Sequence, residues 1–389
     1  MFRFNVDDRQ HPMREMVRVF AEKEIVPVAQ ELDRLPEPIR FPIEYYRKLA
    51  KQGFIGFPLP KEYGGSGHSS IEYCTLCEEL TYWDPPTCLL SAVAVLATEP
   101  IWHFASEEQK KKYIPKIVTG EIIPAFALTE PNAGSDAANQ TTEARLENGE
   151  WVINGEKIFI MHGDIANLFV IFGKINEPGV RHKVTAWIVE DDGKQGIRKE
   201  VLKYKMGMRA ATTGRMWMTN TRVPQANLLG EIDKGFRYAM ATLDSARIGV
   251  AAQGLGIAER ALDESISYAK TRKVFGEPLA SKQAIQWMIA DMTTRVEAAR
   301  GLCYRAATQQ DKGAKFSLDA SMAKLYCTET ANFCVDRAMQ IHAGYGYIGE
   351  FSIIEKLYRD QRITEIYEGT SEIQRLVIAG TMLRDPAGA

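Results

Sequence analysis

Apolar residues recur at three- and four-residue intervals near the start of the chain, where Met13, Met16, Val17 and Phe20 mark one stripe of a helix. Ile71 to Tyr82 repeats that spacing. Ser106 with Gln109 has the reciprocal capping arrangement that opens a helix, and the lysines at 110–112 read as its solvated face. Pro58, Pro60, Gly64, Gly65 and Gly67 punctuate this zone with a loop. From about residue 122 the period changes. Runs rich in Val, Ile, Phe and Trp at 150–153, 157–161, 168–172 and 184–189 predict strands. Asn148-Gly149 and Asn154-Gly155 are dipeptides that accept positive φ in a type I′ turn. Strands do not alternate with helices, so an antiparallel sheet or small barrel is predicted here. From about residue 234 the helical period returns over 241–270, 283–309 and 317–343, three long stretches whose apolar faces must pack together as a bundle. The segment 342–349 breaks the last of them.

The pattern predicts an α+β chain. An N-terminal helical domain spans 1–121, a middle antiparallel β-barrel-like domain 122–231, and a C-terminal four-helix bundle 232–389. Composition adds exclusions. Against 48 basic residues stand 50 acidic ones, a net charge of −2, which argues against a nucleic-acid-binding surface. The longest apolar run, Cys88 to Ala97, is about half of what a membrane span needs, so none is expected. The opening decapeptide mixes charges without the apolar core of a signal peptide. Six scattered cysteines within helical segments fit reduced thiols and a cytoplasmic location.

Common catalytic signatures are missing. The chain has no phosphate-binding G-x-x-x-x-G-K-[ST], no G-x-S-x-G and no H-x-x-x-H. Gly254-Leu-Gly256 starts like a dinucleotide fingerprint, but Glu259 holds the third glycine position inside a helix, so close helix packing is the better reading. Cys74 and Cys77 lack a second pair at zinc spacing and read as buried thiols, with no metal site expected. His103 and His342 are lone histidines read as structural.

Two segments invite more. Residues 126–136 run from a strand into a turn dense in Thr, Ser, Gly and Asn, which either offers N–H groups and hydroxyls to a polar ligand or is a surface loop. In residues 366–375, Ser371 and Gln374 suggest a capping box, with Glu368 on a short connector beside Gly369. A desolvated carboxylate there could act as a general base; an ordinary charge at a helix N-terminus is the competing reading.

Together, 128–136, Arg272-Lys-Val-Phe-Gly276, 340–346 and 366–375 resemble the acyl-CoA dehydrogenase family of flavoenzymes, in the family's order over nearly the whole chain. The resemblance implies an oxidoreductase of fatty or other carboxylic acid degradation. It would dehydrogenate an acyl-CoA to the 2-enoyl-CoA, with Glu368 taking the α-proton while hydride passes from the β-carbon to N5 of FAD. The alternative position that some members use for the base holds Ala246. The resemblance places Leu128, Thr129, Ser135, Phe159, Ile160 and Met161 around FAD. Arg272, Phe275, Gln283, Gln340, Ile341, Ala343 and Gly344 would reach the FAD of a neighbouring subunit, and Thr370 and Glu372 would close around the cofactor. Ser135, Asp244, Arg247, Tyr367 and Gly369 match substrate-side positions, although Asp244 and Arg247 also suit a plain intrahelical ion pair. A homotetramer built as a dimer of dimers and electron-transfer flavoprotein as acceptor are implied too. The chain departs from the family at Asn132, often Gly, at Phe159 and Met161, often Trp and Thr, and at His342-Ala343, often Leu-Gly.

For the acyl group, Leu89, Leu90 and Val93 are expected to form an apolar cavity floor, with Ser91 the polar exception. Thr87 stands where relatives that take dicarboxylic acyl groups carry Arg, so a buried distal carboxylate would lack a partner. A monocarboxylic acyl group is expected, short or medium, branched or alicyclic. The competing functions are an acyl-CoA oxidase-type flavoenzyme and a non-catalytic assembly partner on the same fold.

Overall fold

The computed structural model describes residues 12–193 and 196–383. The opening decapeptide, and with it the expectation of no signal peptide, lies outside the described residues. The chain opens with helices α1 (Pro12–Phe20), α2 (Val26–Asp33), α3 (Ile43–Lys51), α4 (Ser70–Trp83), α5 (Pro85–Phe104) and α6 (Glu107–Val118). Local chemistry explains their starts. Ser69 and Glu72 exchange side-chain and backbone bonds ahead of α4, and Ser106 and Gln109 do so ahead of α6 as expected. Asp84 caps α5 through Thr87 N–H at 3.1 Å, with Pro85 and Pro86 in the first turn, where a missing N–H costs nothing. Within the α1 stripe Met13 and Val17 are buried, while Met16 stays at the surface.

Helix α5 is longer than the apolar run suggested. Its 20 residues, with a mean hydropathy of 1.3, have the length and composition of a membrane span, yet most of the helix is buried inside the protein. It is the helix that carries the cavity wall described below.

The middle of the chain forms one sheet from β1 (Pro124–Ala127), β2 (Glu143–Glu147), β3 (Glu150–Met161), β4 (Leu168–Glu177), β5 (Val180–Glu190), β6 (Ile197–Val201) and β7 (Thr213–Pro224). The strand order is β1-β4-β2-β3-β7-β6, with β5 also on β4. The sheet is not wholly antiparallel: β1 and β2 each pair with β4 in parallel. The chain leaves β1 through a long turn and the β2–β3 hairpin before it reaches β4. A connection of that length permits the same strand direction, which a two-residue turn does not. Asn148 and Gly149 turn that hairpin at φ +52° and +81°. Asn154-Gly155 is not a turn. It sits inside β3 at a register shift, and a Cβ on Gly155 would lie 2.4 Å from Thr142 Oγ1, so glycine is needed there for close approach.

Helices α7 (Gly235–Thr271), α8 (Gln283–Asp311) and α9 (Ser317–His342) complete the scaffold with α10 (Gly344–Tyr347), α11 (Ile354–Gln361) and α12 (Ser371–Met382); a small hairpin, β8 (Lys273–Val274) and β9 (Glu277–Pro278), precedes α8. Gly254 and Gly256 let α7 approach its neighbours. A Cβ at Gly254 would fall 2.9 Å from the Cys327 backbone, and one at Gly256 2.3 Å from Glu78 O. Cys74, Cys77, Cys88, Cys303, Cys327 and Cys334 are all free and buried. His342 is buried too, with Nδ1 2.8 Å from Ala338 O and its ring stacked on Tyr268 at 4.3 Å.

Candidate active site

The connector between α11 and α12 is held in an unusual backbone path. Glu368 and Gly369 have φ +55° and +91°, left-handed values that cost a non-glycine residue energy and persist only when the surroundings impose them. The surroundings here are specific. Arg247 Nε on α7 donates to Glu368 O at 3.2 Å, Lys324 Nζ on α9 donates to Gly369 O at 2.9 Å, and Gln374 Nε2 donates to both carbonyls at 3.3 and 2.8 Å. Tyr367 OH donates to Gln253 Oε1 on α7. The α12 cap is Thr370, whose side chain accepts from Ile373 N–H, and not Ser371. The register moves by one residue because Gln374 is spent on the carbonyls of Glu368 and Gly369 and cannot reach back to close a box.

Glu368 is half-buried as a residue, but its Oε2 is enclosed and has no partner. Burial pushes the carboxyl up to about 7, against the opposing pull of Arg247 and Lys324. Burial likewise brings Lys324 down to about 8, with Glu368 opposing. Among the described residues the Glu368 N–H has no partner within the chain, so it is free to donate to a ligand. Arg247 also binds Asp244 Oδ1 at 2.5 Å. The expected intrahelical pair therefore exists, and its arginine also fixes the connector.

Glu368 lines a cavity with Tyr367, Leu89, Val93 and Ala246. Leu90 and Ser91 are not in its wall. Leu90 is buried elsewhere, and Ser91 Oγ donates to Phe54 O at 2.7 Å. Helical geometry explains the difference: the wall takes residues 89, 92, 93, 95, 96 and 99 of α5, which share one broad face, while 90 and 91 turn away from it. The polar residue that α5 does present is Glu99, which the sequence reading passed over although it follows Leu89 and Val93 at helical spacing. Thr87 is absent from the wall as well. It is buried against Asp84 Oδ2 at 2.8 Å and Tyr45 OH at 2.7 Å.

The second group of expected residues meets at the sheet. Ile158 N–H donates to Thr129 O at 3.0 Å, and Lys157 Nζ donates to Leu128 O at 3.2 Å. These bonds bring the 128–136 turn against β3. Lys157 also binds Glu130 Oε1 at 2.8 Å, fully buried; burial alone would raise the Glu130 carboxyl, but Lys157, Thr141 and Thr142 bring it down to about 2. Ile160 is buried, and Met161 Sδ accepts from Thr213 Oγ1 at 3.0 Å. Phe159 lies in a second register shift of β3 with φ +59° and is 65% exposed. An uncovered aromatic ring at a strained backbone position, next to the residue that holds the Thr129 carbonyl, with Ser135 exposed in the same turn as Thr129, fits one face of a flat cofactor with a polar tail.

Apart from Ile341, the remaining expected residues lie on the surface of this chain. Arg272, Phe275, Gln283, Gln340, Ala343, Gly344 and Glu372 are exposed, Ile341 is buried, and Phe275 is 98% exposed at φ +50°. Arg272 sits over the Tyr345 ring at 5.4 Å. Among the described residues no cluster of His, Cys, Asp and Glu is arranged to hold a metal ion.

Three family models match the chain in succession: acyl-CoA dehydrogenase N-terminal domain over 7–121, middle domain over 125–221 and C-terminal domain over 233–383. A short-chain-specific acyl-CoA dehydrogenase of Clostridium acetobutylicum is 43% identical over 382 residues, covering 98% of this chain and all of that one. A caffeyl-CoA reductase–Etf complex subunit of Acetobacterium woodii is 42% identical over 373 residues, covering 96% of this chain and 97% of its own. The solved butyryl-CoA dehydrogenase of Megasphaera elsdenii superposes with a TM-score of 0.92 at 39% identity, over 98% of this chain and 100% of that one. The chain therefore belongs to the acyl-CoA dehydrogenase family, FAD-dependent oxidoreductases that act on a CH–CH bond.

Proposed function

We propose that this chain dehydrogenates a monocarboxylic acyl-CoA at its α,β-bond, with Glu368 as the base that removes the α-proton. The observation that carries the reading is the enclosed, unpartnered Glu368 carboxyl, fixed at the wall of an otherwise largely apolar cavity. The pinned carbonyls of Glu368 and Gly369 leave the Glu368 N–H free to donate to the thioester oxygen. That bond strengthens as charge develops on the oxygen during proton removal. Ala246 offers no competing carboxylate. Leu128, Thr129, Ser135, Phe159, Ile160 and Met161 would hold FAD, with Thr370 and Glu372 closing on it; FAD supplies the acceptor for the β-hydride.

Substrate class follows from the wall. Leu89, Ala92, Val93 and Leu96 suit a short or medium, branched or alicyclic acyl group, and among the described residues no Lys or Arg lines the cavity to meet a distal carboxylate. The exposed Arg272, Phe275, Gln283, Gln340 and Gly344 suit a partner subunit's FAD, which supports a homotetramer. The Acetobacterium woodii relative is named as part of an Etf complex, which supports electron-transfer flavoprotein as acceptor. That relative is also named a reductase, so the same site is open to the reverse direction, hydrogenating an enoyl-CoA. The enclosed base argues against a non-catalytic assembly partner.

Anaerobic titration of the FAD-loaded protein with butyryl-CoA tests the reading: bleaching of the flavin band is expected, and a flavin untouched by any acyl-CoA of four to eight carbons would overturn it. The pH profile gives a second test. Glu368 works only when ionised, so kcat/KM should fall about tenfold per pH unit below about 7 and level off above it. A rate unchanged from about pH 5.5 to 7.5 would remove Glu368 as the titrating base.

A further inference from the structure

Glu99 on α5 is buried, lines the same cavity as Glu368, and makes only one of the hydrogen bonds its carboxyl can make. Ser245 Oγ on α7 donates to Glu99 Oε1 at 2.7 Å. Gln310 Nε2 on α8 in turn donates to Ser245 Oγ at 2.9 Å. The relay has one direction: the amide gives to the hydroxyl, and the hydroxyl gives to the carboxyl. Oε1 is thereby an acceptor, so the proton of a neutral Glu99 belongs on Oε2, which is enclosed and has no partner.

The surroundings favour the neutral acid. Among the described residues no cation lines the cavity, and its other polar lining residues are Tyr73, Ser245, Gln253, Tyr367 and Glu368, with Gln253 and Tyr367 bonded to each other. Burial, and then the Glu368 charge, push Glu99 up to about 8 despite the Ser245 bond, a shift that favours its neutral form near neutral pH. A neutral carboxyl whose enclosed O–H has no acceptor is costly unless a ligand supplies one.

We propose that Glu99, oriented by Ser245 and Gln310, is a specificity-determining hydrogen-bond donor that selects acyl groups carrying an uncharged oxygen acceptor beyond the β-carbon over wholly aliphatic chains of the same length. The oxygen would be a ketone, ether or hydroxyl, since a carboxylate would be buried without a counter-charge. This inference rests on the proposed acyl-CoA dehydrogenation and narrows its substrate class.

The test compares rates of anaerobic flavin reduction in the holoenzyme for 5-oxohexanoyl-CoA and 4-methoxybutanoyl-CoA against hexanoyl-CoA, a set matched in chain length whose oxygens lie too far from the reacting carbons to activate them. The wild type should favour at least one oxygenated chain by about tenfold or more in kcat/KM. Glu99→Leu should erase that preference and speed the hexanoyl reaction. Glu99→Gln, which keeps an N–H donor, should retain part of it. Ser245→Ala, which leaves the carboxyl in place but unoriented, should weaken it and covers the case in which Glu99→Leu fails to fold. A wild-type ratio near one, or the same ratio in wild type and Ser245→Ala, overturns the proposal. Butyryl-CoA with the wild type separates the two levels. If it bleaches the flavin while the ratios show no preference, the Glu99 inference alone fails; if no acyl-CoA bleaches the flavin, the dehydrogenation reading fails.

Discussion

Glu368→Gln should fold, take up FAD and bind acyl-CoA, yet reduce the flavin at least about 10²–10⁴-fold more slowly, the usual contribution of a positioned general base. The amide preserves the shape of the side chain and cannot accept the α-proton. Its backbone ties are untouched, because Arg247, Lys324 and Gln374 bind the carbonyls of the connector and not the carboxyl. The neutral amide also removes a buried ionisable group whose charge burial disfavours, so stability should not fall. Stopped-flow absorbance of the flavin band under anaerobic conditions reads the rate. Reduction within a few-fold of wild type would mean that another group takes the proton.

The second large effect concerns stability. Glu78 on α4 is wholly buried at the centre of a charged cluster. Its Oε2 accepts from Arg14 Nη2 on α1 at 2.9 Å and from Tyr304 OH on α8, and its Oε1 accepts from Arg300 Nη1 on α8. Burial would raise the carboxyl, but the two guanidiniums hold it below the usual carboxylate range. Glu78→Ala leaves two largely buried arginines short of their shared partner; Arg14 keeps Glu79 and Arg300 keeps Glu259 at 3.2 Å. Breaking a buried pair in this way costs about 3–5 kcal/mol. The expected result is a thermal midpoint several degrees lower, read by calorimetry or thermal melting. An unchanged midpoint would show that the remaining carboxylates suffice.

Much of this site was legible because it is written in short, local patterns. Asn148-Gly149 announces its turn, since both residues need positive φ and nothing distant competes. The same dipeptide logic fails at Asn154-Gly155, where the glycine answers to Thr142 on the neighbouring strand segment, a contact that no local rule sees. Glu368 could be picked from its segment, but the reason its carboxyl is enclosed lies on α7 and α9, far away in sequence. Sequence presents the α5 floor as a block of residues, and a block ignores that a helix has faces. Residues 89, 93 and 99 reach the cavity, whereas Ser91, only two positions from Leu89, caps a carbonyl on the far side. The parallel pairing of β1 with β4 was out of reach for a similar reason. Alternation marks strands, while direction is set by the length of the connection and by what packs on each face.

The proton step can be isolated from hydride transfer with an acyl-CoA analogue whose β-carbon has been replaced by sulfur, so that it can lose an α-proton but has no β-hydride to give. Deuterium placed at its α-carbon should wash out into water in the presence of wild-type holoenzyme and should remain in place, within the uncatalysed background, with Glu368→Gln holoenzyme. Wash-out by the variant at the wild-type rate would contradict the assignment of Glu368 as the base.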